Sequence, residues 1–179
     1  MAEFLWIFWS FSLLGWVLER LFAAVTRSPR RRRRCLLLLP LCPVYGLGMA
    51  AVLALPPSLR SGWPLYLWGG LTATSVEYIY HWWGETFLGV SFWDYTGVFG
   101  NLRGRVCLPF SLAWGLLLFP AVYLVTPPVL ALADRVPVGV TWWLLVAFTA
   151  DAVCSLRFLA VTHDLEALRA VIWPVSADR

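Results

Sequence analysis

The sequence predicts an all-α membrane protein, a bundle of about five transmembrane helices with an interfacial or partly re-entrant loop between the third and the fourth. Three observations predict it. Of the 179 residues, 60% are hydrophobic and only 13% charged, with a mean hydropathy of +0.73, whereas soluble domains are roughly 45–50% apolar. Five stretches approach the ~20 apolar residues that a bilayer span needs: 4 to 26, 35 to 56, 64 to 84, 106 to 126 and 139 to 161. Basic residues crowd the ends of these stretches on one side. A single multi-pass domain, 1–179, results.

The first stretch opens Met1-Ala2-Glu3, without the basic start and small-residue cleavage site of a secretory signal, so it is expected to be retained. After it comes the run from Arg27 to Arg34. Lodged between two spans, that run reads as a topology signal resting on acidic headgroups, and no nucleic-acid partner is expected. In the second stretch, Pro40 and Pro43 should bend the helix and release backbone carbonyls near one end. Pro56, Pro57 and Pro64 bracket one loop and Pro127, Pro128 and Pro137 another, and helices should stop there.

Orientation follows from arginine. Eleven basic residues (Arg27, Arg30 to Arg34, Arg103, Arg105, Arg157, Arg169, Arg179) fall on one side and two (Arg60, Arg135) on the other, with Arg20 at the inner end of the first helix. The basic side stays in the cytoplasm, which predicts a cell-membrane protein with its N-terminus outside and its C-terminus cytoplasmic. Cys35, Cys42, Cys107 and Cys154 avoid the predicted external loops and form no C-x-x-C pair. Thiols acting as small apolar side chains are expected, without disulfides, metal or another cofactor.

Polar residues within the spans carry the functional argument. Glu19, Tyr45, Glu77, His81, Ser111 and Asp151 all lie toward the cytoplasmic ends. A charge at mid-bilayer costs ~2.5–3.5 kcal/mol on insertion scales, so these groups should face one another around a pocket open to the cytoplasm. Glu77, His81 and Glu85 follow at i, i+4 and i+8 and share a helix face. Carboxylate and imidazole on one face suit proton movement or metal, yet a carboxylate paired across the bundle satisfies the same spacing. Asp151 and Arg157 are six apart, so Asp151 needs a partner from another element.

The stretch from Glu85 to Arg105 is rich in glycine and aromatics and too polar to span. Trp93, Tyr95 and Phe99 are expected to anchor it at headgroup level. Asp94, Asn101, Arg103 and Arg105 then cover the pocket, with arginine offering a planar fork to an anion. Most other tryptophans read as an interfacial belt, and "HDLEALRAVIWP" after the fifth span as a surface helix.

Several of these residues sit in recognisable patterns. Gly15-Trp16 with Glu19, the segment "PLCPVYGLG" (Pro40 to Gly48), Glu77-Tyr78, Glu85, Trp93-Asp94-Tyr95-Thr96 and "NLRGRVCLPFSLAWG" (Asn101 to Gly115) resemble the motifs of a bacterial membrane family labelled putative ABC-transporter type IV, or CmpB-like. Val44 replaces that family's isoleucine and Leu39 its glycine. The resemblance covers residues 12 to 115; His81 and Arg157 lie outside its pattern. It implies a permease-like subunit that works with a separate ATPase, and the chain has no G-x-x-x-x-G-K-[ST] phosphate loop of its own. Five spans would then need a second copy or another membrane chain to form a path.

Three function classes follow: a transport subunit with a cytoplasm-facing polar pocket, an intramembrane enzyme acting on a lipid-linked or anionic substrate, and a membrane scaffold. The pocket residues expected are Glu19, Cys42, Tyr45, Glu77, Glu85, Asp94, Asn101, Arg103, Arg105 and Ser111. No nucleophile and base stand out as catalytic.

Overall fold

Helices account for nearly all regular structure in the computed structural model, which describes residues 1–26 and 35–170. Six helices are present among the described residues, with no strand beyond one isolated bridge between Leu102 and Val106. The basic run 27–34 and the tail from 171 onward, Trp173 and Arg179 included, lie outside the described residues.

Helix α1, Ala2–Thr26, has Glu3 in its first turn, where a carboxylate complements the helix dipole. At 1.5 Å per residue its 25 residues reach roughly 37 Å. One stripe is buried, Phe8, Ser12, Gly15 and Glu19, at the four-three-four spacing of a helix packed along one face. Leu13, Leu14, Val17, Leu18 and Leu21 on the other side are exposed.

Helix α2, Pro43–Leu53, is shorter than the predicted stretch from 35 to 56. Proline lacks an N–H and restricts the residue before it, so Pro43 opens the helix instead of bending it, and residues 35–42 form a non-helical strap. The strap has two fastenings. A disulfide joins Cys35 to Cys42, whose Cα atoms are 5.1 Å apart. Asp151 Oδ1 accepts the Leu38 N–H at 3.1 Å and Oδ2 the Leu39 N–H at 3.0 Å. The disulfide corrects the expectation of unpaired thiols, which rested on both cysteines lying within a span and outside the external loops; the non-helical strap lets them meet, whereas a helix would hold positions 35 and 42 two turns apart.

α1 and α2 cross closely because both offer glycine. A Cβ on Gly15 would strike the Tyr45 ring, and one on Gly46 the Phe8 carbonyl and the Ser12 hydroxyl. Small residues let helices approach where lipid supplies no hydrophobic drive. Gly70 and Gly115 do the same between the next two helices.

Helix α3 covers 62–88, with wide π-type turns at Leu65–Gly69 and Gly84–Leu88 around a regular middle, Gly70–Trp83. Gly89, at φ +66°, ends it in the left-handed conformation. Helix α4 covers 108–135: Leu108–Pro120, a wide turn at Ala121–Val125, then Thr126–Arg135. Pro127 and Pro128 do not stop it, contrary to expectation. They fall in the first turn after the wide turn, where missing N–H groups cost little. Helix α5 is Val138–Thr162 and α6 is Leu165–Ala170. Of these, α1, α4 and α5 are long and apolar enough to cross a membrane.

Residues 89–107 plug one end of the bundle. Val90, Phe92, Trp93 and Tyr95 are buried among Leu88, Leu159, Leu165 and Leu168. Phe99 is exposed, whereas Trp93 and Tyr95 are core residues. The plug closes on itself through Tyr95 N–H to Gly104 O (2.8 Å) and Leu102 N–H to Val106 O (2.9 Å). His163, in the left-handed conformation at the end of α5, brings Nδ1 to 2.6 Å from the Leu88 carbonyl.

Candidate functional site

α3 carries the polar axis of the site. Its regular middle carries Glu77 and His81, the wide turn that follows carries Glu85, and their neighbours divide the site into two groups.

The first group surrounds Glu77, which is 2% exposed. Trp114 on α4 donates its indole N–H to Glu77 Oε2 at 2.8 Å, and the Tyr95 hydroxyl of the plug donates to Oε1 at 3.3 Å. Trp114 meets the Tyr45 ring edge-on, centroids 5.5 Å apart. The Tyr45 hydroxyl donates to Glu19 of α1. Two buried carboxylates from α1 and α3 are thus linked through a tyrosine and a tryptophan. Hydrogen bonds to the charged form are what permit a carboxylate to be buried.

The second group lies one and two turns on. Arg105 donates Nε–H to Glu85 Oε2 at 2.7 Å and Nη1–H to the Tyr78 hydroxyl at 2.9 Å, with its guanidinium 5.1 Å from the Tyr78 ring centre. Burial works against the Arg105 charge; its hydrogen bonds to Glu85 and Tyr78 outweigh that, holding the group above its ordinary pKa. Trp93 donates to the Arg105 carbonyl at 2.7 Å and so fixes the backbone that carries the fork.

His81 Nε2 lies 3.2 Å from Glu85 Oε1 and 3.3 Å from Ser91 Oγ. The Ser91 hydroxyl donates to the Trp93 carbonyl, which leaves its oxygen, like the Glu85 carboxyl oxygen, able to accept from a ring N–H.

The other expected members do not join. Asp94 is exposed and caps its own turn, accepting the Thr96 N–H at 2.8 Å. Hydrogen bonds from Thr96, side chain first and backbone second, hold the Asp94 carboxyl below the usual range. Asn101 accepts the Gly104 N–H at 3.2 Å and donates to Val98 O, Arg103 is exposed at φ +55°, and Ser111 donates to Cys107 O. These four shape the plug and the start of α4. Cys42 is buried in the disulfide, and its N–H donates to Ser12 O at 2.9 Å. Among the described residues, no group of three or more His, Cys, Asp and Glu side chains is arranged to hold a metal ion.

Trp114, Tyr78 and Ser91 were not foreseen as members. Trp114 had a signal, since a buried indole N–H normally finds a partner and this one falls in a span that also faces a carboxylate.

Beside the first group lies a cavity of about 340 Å³, walled by α1, α2, α3 and α4. Glu77, Tyr45 and Trp114 supply its polar atoms, and leucines, valines, alanines and Met49 most of the remaining wall.

A family model described as putative ABC-transporter type IV matches residues 6–156. No curated protein and no solved structure matches.

Proposed function

We propose, from the premise that the chain belongs to the family described as putative ABC-transporter type IV, that it is the membrane-embedded, permease-type subunit of a transport system powered by a separate ATPase. The observation that carries this reading is the cavity walled by four helices with buried Glu77 at its polar end. Ionisable groups inside a membrane mark pathways more often than they serve packing. A concave, mostly apolar space of ~300–1,000 Å³ with a few convergent polar groups is the ordinary form of a ligand site.

In this reading the protein is multi-pass in the cell membrane, with the plug and the basic run facing the cytoplasm. The Arg105–Glu85 pair closes the cytoplasmic end, and Glu19 and Glu77 line the path behind it. A second copy, or another membrane chain, completes the path. In this reading hydrolysis belongs to the partner, which is consistent with the lack of a G-x-x-x-x-G-K-[ST] phosphate loop in this sequence.

The test is purification of the tagged chain from native membranes. Recovery of a nucleotide-hydrolysing chain, whose activity in proteoliposomes falls when Glu77→Gln is introduced, supports the reading. Recovery without such a partner, with every phenotype intact in a folded Glu77→Gln chain, overturns it. That second outcome favours a scaffold role, for which the Glu77, Trp114 and Tyr95 hydrogen bonds would be a helix lock.

A further inference from the structure

Gly46 and Gly48 of α2 look alike in sequence and differ in surroundings. Gly46 is demanded by the approach of α1, whereas a Cβ on Gly48 would meet nothing within 4 Å among the described residues. Gly48 borders the cavity, so no helix contact accounts for the space opposite it. The nearby wall comes from Leu14, Leu18 and Leu21 of α1 and Leu117 and Ala121 of α4. A hollow so lined stays dry and favours apolar guests, because water needs two to four polar partners to settle.

The same three leucines of α1 are 44%, 39% and 60% exposed. The wall is therefore continuous with the outer surface of α1, a helix long and apolar enough to cross a membrane, and the hollow opens sideways onto the face that lipid would cover. The polar groups gather elsewhere, at Glu77 and Tyr45.

We infer that this cavity takes one hydrocarbon tail of a membrane lipid, admitted laterally from the bilayer beside α1, with the lipid's polar end toward Glu77 and Tyr45. The inference rests on the transport reading for the site and names the class of molecule the site accepts. At about 340 Å³ the hollow is at the lower end of ligand pockets, which suits one chain rather than a whole two-tailed lipid.

The test places the full-length chain in phosphatidylcholine nanodiscs that contain phosphatidylcholine bearing a diazirine in one tail; a parallel sample carries free diazirine-palmitate instead. After illumination, adducts are mapped by peptide. Expected is severalfold enrichment on the wall peptides around Leu18 and Leu117 over the exposed face of α5 at Trp143, Val146 and Val153. Gly48→Leu, which fills the space, should cut wall labelling severalfold without lowering the melting temperature, and Gly48→Ala should cut it partly.

Equal labelling of wall and α5, or wall labelling that ignores a folded Gly48→Leu or Gly48→Ala, overturns the inference. Enrichment with palmitate alone overturns the lipid as source. Tail enrichment with no copurifying ATPase and every phenotype intact in a folded Glu77→Gln chain keeps the lipid site and overturns the transport reading; an ATPase partner without tail enrichment does the reverse.

Discussion

The indole of Trp114 on α4 donates to Glu77 on α3 at 2.8 Å, tying two helices together through a carboxylate that is 2% exposed. Trp114→Phe keeps most of the ring and removes the donor. Leaving a buried acceptor short of a partner costs ~1–3 kcal/mol. Thermal melting in detergent should show that loss, and Glu77→Leu combined with Trp114→Phe should lose less than the two single changes added together.

Helix crossing makes a paired prediction. Gly46→Ala drives a methyl into the Phe8 carbonyl and should destabilise by ~1–3 kcal/mol, the usual cost of overpacking. Gly48→Ala meets open space and should stabilise by up to ~1 kcal/mol through helix propensity. Opposite signs two residues apart, read from one set of melting curves, check the α1–α2 geometry.

The Arg105 fork reaches Glu85 and Tyr78 at once. Lysine supplies a point charge on a flexible stem and cannot reproduce both contacts. Arg105→Lys should therefore loosen the plug, seen as faster proteolysis within 97–104, while Glu85→Gln, at a half-exposed position, should loosen it less.

The Cys35–Cys42 bond closes a short loop, with a sequence separation of seven. Loop-closure entropy for that length predicts a loss of about 2–3 kcal/mol on removal. Reduction and Cys35→Ala should lower the melting temperature by the same amount and not additively. Alkylation of the denatured, unreduced chain should mark Cys107 and Cys154 and spare the other pair.

Acid should act on the plug through Asp94. Its carboxyl is held below the usual range by Thr96, so the ionised form stabilises the turn. That contribution is complete above the ordinary Asp value of ~3.9 and is lost as pH falls through the lower native value. Amide exchange at Thr96 should stay slow down to the ordinary Asp value and quicken below it, and Asp94→Ala should exchange quickly at every pH.

Much of the fold was legible because lipid-exposed helices are written in hydrocarbon, and three of the expected spans match helices of spanning length. The ends were harder. Pro43 looked like a kink and proved to be a start, and Pro127 and Pro128 looked like stops and proved to follow a wide turn that sequence periodicity does not mark.

For the site, depth and helical spacing placed Glu19, Tyr45, Glu77, His81 and Glu85 toward one end of the bundle, but did not give the division that sets Glu77 with Trp114 and Tyr95 and Glu85 with Arg105 and His81. They could not separate Asp94, Asn101 and Arg103, because a turn that satisfies its own polar groups has the same composition as a lid. Trp93 and Tyr95 were hidden for the converse reason: the aromatics that mark an interface also fill a core.

Asp151 presents two oxygens to two consecutive backbone N–H groups of the strap, and Oδ1 also accepts from the Ser155 hydroxyl at 3.0 Å. Asparagine brings one acceptor to that task, and glutamate projects its carboxylate one methylene too far. A library randomised along α5 should thus tolerate wide exchange at the aliphatic positions around 151 and return aspartate there alone.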